Sequence, residues 1–223
     1  MRIDVITLFP EIFASITDYG ISARAMKRGL WNIHFWNPRD VTEDVHRTVD
    51  DRPFGGGPGM VMMAEPLAKT LEYVRASGNS GPVIAFSPTG ERLTDAYVRS
   101  FSSQPAGQMV LVCGRYEGID ERFLETYVDH TVSLGDFVLS GAELAACALI
   151  DAVVRQLPGA IKELSASDES FSTGLLDAPH YTRMVCWNIP STLAQRYGMT
   201  ATFPRSCFPA ITPTSRAGRV KNL

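Results

Sequence analysis

Two glycine-bearing turns, each placed directly after an apolar run, carry the side chains of this sequence best suited to chemistry. Met109 to Gly114 is an apolar run that leads into the charged turn Arg115 to Gly118. His130 to Leu134 is a second apolar run, and it leads into Gly-Asp-Phe-Val-Leu-Ser and then Gly141. An open α/β sheet binds its ligands at the ends of its strands, so two such turns in series indicate a site. Two ordinary strand-end turns are the alternative interpretation.

A third turn of the same kind follows Val83 to Phe86 and begins with Ser87-Pro88. Backbone N–H and C=O groups of the three turns could hold an adenosyl group, with apolar contacts from Phe86, Leu134 and Leu139. The first predicted strand is not followed by G-x-G-x-x-G, and the sequence lacks G-x-x-x-x-G-K-[ST]. The pattern therefore argues against a dinucleotide-binding fold and a P-loop.

A long polar segment from Arg39 to Gly59 contains the run HRTVDDRPFGGGPGM. Its glycines would let the backbone approach a nucleotide closely, and His46, Arg47 and Arg52 offer donors for phosphates or base edges. Loops of this length in a compact domain are usually functional or disordered. From this segment alone, a flexible surface loop is the competing interpretation.

Strands and helices alternate along the first 160 residues, which predicts an α/β fold with a mostly parallel sheet and helices on both faces. The predicted strands are 2–9, 30–36, 83–86, 109–114 and 130–134, and the predicted helices are 10–28, 65–76, 93–101, a segment with apolar residues at 119, 123 and 127, and 142–157. Residues 87–90 are predicted to form a turn.

Composition is that of an ordinary soluble globular protein, with 45% hydrophobic and 20% charged residues. No apolar run approaches the ~18 residues that span a bilayer. Four separated cysteines without a C-x-x-C pair argue against a zinc site or a disulfide framework, and we expect a cytoplasmic protein. The net charge is −3, but residues 184–223 contain five basic residues and no acidic ones, a weak RNA-contact signal.

The motifs GRYEGIDER, SLGDFVLSG and HRTVDDRPFGGGPGM closely resemble the bacterial tRNA (guanine-N1)-methyltransferases, the TrmD family of the SPOUT class. The resemblance implies a deep C-terminal trefoil knot in the catalytic domain, a homodimer, S-adenosylmethionine bound in the knot, and methylation of guanosine 37 of tRNA. It also implies that magnesium takes part in the transfer. Knots are rare exceptions among folds, so neither composition nor pattern could predict one.

The resemblance assigns the three strand-end turns to S-adenosylmethionine and the Gly-rich loop to RNA. The implied cofactor-binding residues are Phe86, Ser87, Pro88, Gly114, Tyr116, Glu117, Gly118, Leu134, Gly135, Asp136, Phe137, Val138, Leu139, Ser140 and Gly141. The implied RNA-binding residues are His46, Arg47, Asp50, Arg52, Gly55 and Gly56. The family usually has a second glycine where Ala142 stands here, a mild change if φ is negative and a costly one if φ is positive.

Methylating guanine N1 requires a base for its proton and is helped by a cation near O6. In the family the cation is an arginine that Arg155 matches, and the base is an aspartate in the linker after the last helix. Here the linker acids are reversed: Glu169 stands where the aspartate is expected, and Asp168 precedes it. Either carboxylate could serve as the base. Without the family, a solvated linker is the plainer interpretation of this pair.

The resemblance divides the chain into a catalytic domain (1–160), a flexible linker or lid (161–175) and a remnant of the tRNA-binding domain (176–223). It ends near Arg183, and the proline-bearing tail is expected to be truncated or disordered after about residue 195. A native tail and a frame-shifted one are both compatible with it. Beside the transferase we keep two alternatives: an impaired homologue that binds S-adenosylmethionine or RNA without efficient turnover, and a SPOUT enzyme acting on another RNA nucleoside. Neither a membrane nor a protein partner is implied.

Overall fold

The computed structural model describes residues 1–102, 107–162 and 170–171, and the backbone of residues 187–188 and 202–203. The chain divides into two compact units, Met1–Ala166 and Ser167–Leu223. In the second unit, Trp187–Asn188 pairs antiparallel with Thr202–Phe203. The candidate bases Asp168 and Glu169, and most of the predicted linker and tail, lie outside the described residues.

The first unit alternates strands with helices. Its strands are β1 (Arg2–Ile6), β2 (Asn32–Trp36), β3 (Asp50–Asp51), β4 (Val61–Met62), β5 (Val83–Arg92), β6 (Gln108–Val112) and β7 (His130–Ser133). Its α-helices are α1 (Ala14–Thr17), α2 (Gly20–Lys27), α3 (Ala64–Ala76), α4 (Asp95–Ser102), α5 (Glu121–Tyr127) and α6 (Glu143–Gln156), and Pro10–Phe13 and Pro38–Val41 are 3-10 helices.

The main sheet has five strands in the order β2-β1-β6-β5-β7, and all of its pairs are parallel. Ile3 of β1 lies between Ile33 of β2 and Met109 of β6. Parallel strands need crossover connections, which the intervening helices supply. The predicted α/β fold with a mostly parallel sheet is confirmed.

Apolar side chains project from both faces of this sheet, as expected for parallel strands covered by helices. On β6, Met109 and Leu111 pack into one core cluster, which also holds Phe13, Phe101 and Leu149 from α-helical and 3-10 segments. Val110 and Val112 pack on the opposite face. There they meet α3 and α5 through Leu67, Leu71, Val74 and Phe123. The prediction of helices on both faces is also confirmed.

The prediction of one helix from residue 10 to 28 is wrong. The chain forms a 3-10 turn and α1, and then restarts as α2 at Gly20, whose φ is +75°. α1 ends at Thr17, and Tyr19 has an extended backbone with φ of −127° and ψ of 158°, so the helical path is interrupted just before Gly20. The pattern of apolar residues could not reveal this break.

The prediction of a simple turn at 87–90 is also wrong, because these residues belong to β5. Phe86 and Glu91 both pair with Val132 of β7, so the four residues between them form an irregular outward excursion of the strand. Gly90 within it lies so close to the backbone of Thr131 and Val132 that a Cβ would overlap both. Only glycine allows that approach. The long segment 39–59 likewise contains part of a 3-10 helix and β3 rather than loop alone.

None of the helices in the described part of the chain is long and apolar enough to cross a membrane.

Candidate active site

A pocket with a volume of about 370 Å³ opens at the excursion of β5 and at the carboxyl ends of β6 and β7. Its walls are the excursion of β5, the turn after β6, and the loop between β7 and α6. These three strands are neighbours in the sheet, and the carboxyl edge of an open α/β sheet is where ligands bind. The volume is within the ordinary range for small-molecule sites.

The three turns singled out in the sequence meet at this pocket. The residues of the predicted cofactor set that line it are Phe86, Ser87, Pro88, Gly114, Tyr116, Glu117, Gly118, Leu134, Gly135, Phe137, Val138, Leu139, Ser140 and Gly141. Asp136 is not part of the lining. Ile119, Glu121 and Leu124 line it as well and were not expected from the sequence. The roles of these residues toward a cofactor stay a prediction.

A direct backbone contact joins two of the pocket walls. The N–H of Ala142 donates to the carbonyl of Gly114 over 3.0 Å. Ala142 has a φ of −83°, so its methyl group causes no backbone strain. The exchange of the family's second glycine for alanine is therefore the mild case of the two considered from the sequence.

Arg115 lies under the same two walls, and sequence analysis did not identify it. Its Nε donates to Glu143 Oε1 over 3.1 Å, and its Nη1 donates to the carbonyl of Ser140 over 3.2 Å. Its Nη2 lies 2.9 Å from Glu143 Oε2, an ion-pair contact that lacks the direction of a good hydrogen bond. The guanidinium carbon also lies 4.4 Å from the ring centroid of Phe9. Arg115 thus fixes the end of the loop before α6.

Glu143 is almost fully buried, with a side chain that is 1% exposed. Thr7 Oγ1 donates to Glu143 Oε1 over 3.0 Å, so the carboxylate joins the end of β1 to the pocket. A buried carboxylate needs this combination of cation and hydrogen-bond donor. An acidic residue in the first turn of a mostly apolar helix was the signal in the sequence that could have found it.

The Gly-rich loop is held by a small antiparallel pair, β3 and β4, next to the turn after β6. Asp50 lies opposite Met62 in this pair. The N–H of Met62 donates to the carbonyl of Gly118, and the N–H of Glu117 donates to the carbonyl of Met60, each over 2.9 Å. The hairpin and the pocket turn therefore form one hydrogen-bonded unit.

The predicted RNA-binding residues lie on or beside this hairpin. His46, Arg47, Arg52, Gly55 and Gly56 are exposed, whereas Asp50 is half-buried. Arg47 pairs with the carboxylate of Asp40. The exposed donors are accessible to a large ligand such as RNA.

The phenol of Tyr116 lies where the hairpin meets the pocket. Burial raises the pKa of Tyr116, and hydrogen bonding to Asp50 and its negative charge raise it further, against a smaller opposing effect of Arg39. The phenol therefore stays neutral at ordinary pH and can both donate and accept a hydrogen bond.

Cys113 lies deeper in the sheet. Burial first, and then the charge of Glu143, raise the pKa of the Cys113 thiol well above its ordinary value. Cys113 is thus an inert core residue rather than a nucleophile.

Arg155 is not near the pocket of its own chain. It lies in the last turn of α6, ten residues after Ala145, which lines the pocket at the start of that helix. At ~1.5 Å per residue the two positions are about 15 Å apart along the helix axis. An arginine side chain does not span that distance, and Arg155 is not among the residues that line the pocket.

Comparisons with known proteins give a consistent result. The family described as "tRNA (Guanine-1)-methyltransferase TrmD" matches residues 1–195. A tRNA (guanine-N(1)-)-methyltransferase of Thiobacillus denitrificans is 58% identical over 192 residues, which cover 84% of this chain and 80% of that protein. A protein of the same name from Pseudomonas putida strain W619 is 57% identical over 185 residues, 82% of this chain and 73% of that one.

A solved structure shares the fold. The crystal structure of tRNA (m1G37) methyltransferase from Aquifex aeolicus aligns with a TM-score of 0.71 at 36% sequence identity, covering 86% of this chain and 82% of that one. With the family match over most of the chain, these likenesses show that the chain belongs to the tRNA (guanine-1)-methyltransferase family, TrmD.

Proposed function

We propose that this protein transfers a methyl group from S-adenosylmethionine to N1 of guanosine 37 in tRNA, next to the anticodon. The main support for this proposal is that the pocket and the Gly-rich loop are joined in a chain of this family. A pocket built from the excursion of β5 and the turns after β6 and β7 is hydrogen-bonded, through Met60 and Met62, to a Gly-rich loop with exposed basic residues. Cofactor and target base would meet where these two elements join.

The pocket residues suit S-adenosylmethionine, which supplies the methyl group as part of a sulfonium cation. Phe86, Leu134 and Leu139 offer apolar surface for the adenosyl group, and the turns offer backbone donors and acceptors. Glu117 and Glu121 line the same pocket, and their negative charges suit a positively charged ligand. The remaining residues of the predicted cofactor set surround these groups, with Asp136 outside the lining.

On the RNA side, we assign recognition of the target guanine to Asp50 and contacts to phosphates or base edges to His46, Arg47 and Arg52. Asp50 offers a carboxylate acceptor for the Watson–Crick edge of guanine. The basic side chains offer donors to phosphate oxygens. Gly55 and Gly56, with φ of +84° and +88°, give the loop a backbone that other residues rarely adopt.

Proton removal from N1 falls to Glu169 or Asp168, and Arg155 stabilises the charge that develops on O6. Because Arg155 is about 15 Å along α6 from the pocket of its own chain, we propose that a second copy provides it. The protein would then act as a homodimer with the family's trefoil knot, each linker completing the partner's site. Magnesium is a further expectation of the resemblance. Among the described residues there is no group of three His, Cys, Asp or Glu that could hold a metal ion.

The test is transfer of a labelled methyl group from S-adenosylmethionine to two tRNA transcripts, with guanosine or adenosine at position 37. Label in the guanosine transcript alone is the expected result. Binding of S-adenosylmethionine without transfer to either transcript would instead identify an impaired homologue, and label in both transcripts would contradict the guanine-N1 assignment. We expect the reaction to take place in the cytoplasm, where tRNA is modified.

A further inference from the structure

Arg39 makes a bridge between the Gly-rich loop and the pocket turn. Its Nη1 donates to the carbonyl of Arg47 over 2.8 Å, and its Nη2 donates to the hydroxyl of Tyr116 over 3.2 Å. The carbonyl of Arg39 in turn accepts from Arg47 Nε over 3.0 Å. Asn37 Oδ1 accepts from the Arg39 N–H over 3.0 Å and so fixes the backbone that carries this side chain.

Both residues that Arg39 holds have an unusual backbone. Arg47 has a φ of +52° and Tyr116 a φ of +60°. Among the described residues, Phe171 is the other non-glycine residue with positive φ. Left-handed conformations of bulky residues persist where surrounding contacts enforce them, and they concentrate at functional sites. Here one guanidinium contacts both.

The bridge reaches the residue assigned to the target base. Asp50 pairs with Met62, and the N–H of Met62 bonds to Gly118 in the turn that carries Tyr116. The hairpin that carries Asp50 is thus hydrogen-bonded to the turn that carries Tyr116, and the Tyr116 hydroxyl accepts from Arg39. Arg39 therefore holds, through Tyr116, the turn to which the hairpin of the proposed guanine acceptor is bonded.

We propose that Arg39 and the Tyr116 hydroxyl form a positioning pair that sets the Asp50 carboxylate against the cofactor pocket, and so helps the enzyme select guanine. This inference rests on the proposed function. Arginine is needed because its planar fork donates to two acceptors in fixed directions, whereas lysine presents a single charge on a flexible stem. Tyrosine is needed for its hydroxyl, which phenylalanine lacks.

The experiment is a double-mutant cycle of Arg39→Lys and Tyr116→Phe. Each single variant is expected to lower kcat/KM for the guanosine-37 transcript by about tenfold, the scale of one hydrogen bond to a charged group. The double variant is expected to lose less than the product of the two single losses, because both changes break the contact between Arg39 Nη2 and the Tyr116 hydroxyl. The Arg39→Lys variant is expected to keep wild-type affinity for S-adenosylmethionine in the absence of RNA, because Arg39 does not line the pocket. Lys69→Gln, on the exposed side of α3 where Lys69 pairs with Glu65, is the matched control for loss of a positive charge.

A second readout needs no turnover: the ratio of affinities for the guanosine-37 and adenosine-37 transcripts. The positioning pair predicts that both single variants lose the preference for guanosine, and that the double variant loses no more. If Arg39 only contacts an RNA phosphate, Tyr116→Phe leaves the ratio unchanged and the two effects add, which would overturn the inference. The two proposals can fail separately. If the wild-type protein transfers no methyl group but the affinity ratio and its non-additive response to the variants are as expected, the transferase proposal is wrong and the positioning pair is still supported.

Discussion

Arg115 lies directly across Gly141, so close that a Cβ atom built on the glycine would overlap the Nε, Cδ and Cζ atoms of the arginine. Gly141 is therefore required for the space that Arg115 occupies. The arginine uses that space to hold the Ser140 carbonyl and the buried Glu143 carboxylate at the same time. The shape of one pocket wall thus depends on the absence of a single methyl group.

Replacing Gly141 by alanine should displace Arg115 and weaken S-adenosylmethionine binding by about ten- to a hundredfold, the effect of misplacing a wall by roughly 1 Å. The measurement is the dissociation constant of S-adenosylmethionine by calorimetry. In an Arg115→Ala background the clash has no partner, so adding Gly141→Ala should cost little more. If the losses of affinity from Arg115→Ala and Gly141→Ala were fully additive, the clash between a methyl group at residue 141 and Arg115 would not explain the effect of Gly141→Ala.

A comparison of Gly59→Ala with Gly55→Ala isolates the contact between the Gly-rich loop and Glu117. Both glycines have left-handed φ, +78° and +84°, so both substitutions carry a similar backbone cost. A Cβ at Gly59 would overlap the Glu117 side chain, whereas one at Gly55 meets nothing within 4 Å. Gly59→Ala should therefore weaken S-adenosylmethionine binding in the absence of RNA by about tenfold more than Gly55→Ala. Equal affinities would contradict a role of Glu117 in the pocket.

Exchanging the two linker acids tests which carboxylate takes the N1 proton. Restoring the family order with Asp168→Glu and Glu169→Asp should raise kcat by up to about a hundredfold if the extra methylene of Glu169 misplaces the base by ~1 Å. Glu169→Gln and Asp168→Asn, measured one at a time, separate the two candidates. A single variant that retains the wild-type rate at every pH excludes its carboxylate as the base.

Asp4 should protect the protein against acid. The carboxylate is fully buried and accepts hydrogen bonds from Arg2, Trp36 and Asn79. Burial alone would raise the pKa of Asp4, but these donors and the charge of Arg2 outweigh it and hold the pKa below its ordinary value. A depressed folded-state pKa contributes stability above the unfolded value of about 3.9, and that stability is lost as pH falls through the folded value.

The corresponding experiment is chemical unfolding of wild type and Asp4→Asn across pH. At neutral pH the variant should be less stable by about 2 kcal/mol, because a buried site loses its charge-assisted hydrogen bonds while Arg2 stays partly exposed and keeps its bonds to Ser77. The difference should be constant above the ordinary aspartate pKa and should shrink below it, as the wild-type carboxylate takes up its proton. A difference that grows on acidification would contradict the depressed pKa.

Much of the fold could be predicted from the sequence because its signals are local. The apolar run before Gly114 and the apolar pattern of α6 predict buried elements whatever surrounds them. The break before α2 is marked by the positive φ of Gly20, and the excursion of β5 depends on pairing with Val132 of a distant strand. Neither feature produces a periodic pattern of apolar residues in the sequence. The site follows the same division. Its glycine-bearing turns could be predicted from the sequence. The roles of Arg115 and Arg39 could not, because they depend on contacts with Glu143 and Tyr116, which are distant in the chain.

The order of strands in the sheet also determines how long the edge of β1 stays open while the chain is being synthesised. β1 gains its first neighbour once residue 36 has been made, but its second neighbour, β6, ends at residue 112. At ribosomal speeds of ~5–20 residues per second, the open edge of β1 waits roughly 4 to 15 seconds for its partner. Among the described residues the last one that lines the pocket, Ala145, is made later still. Until then the pocket is incomplete, so the cofactor cannot stabilise the nascent sheet while the edge of β1 is open.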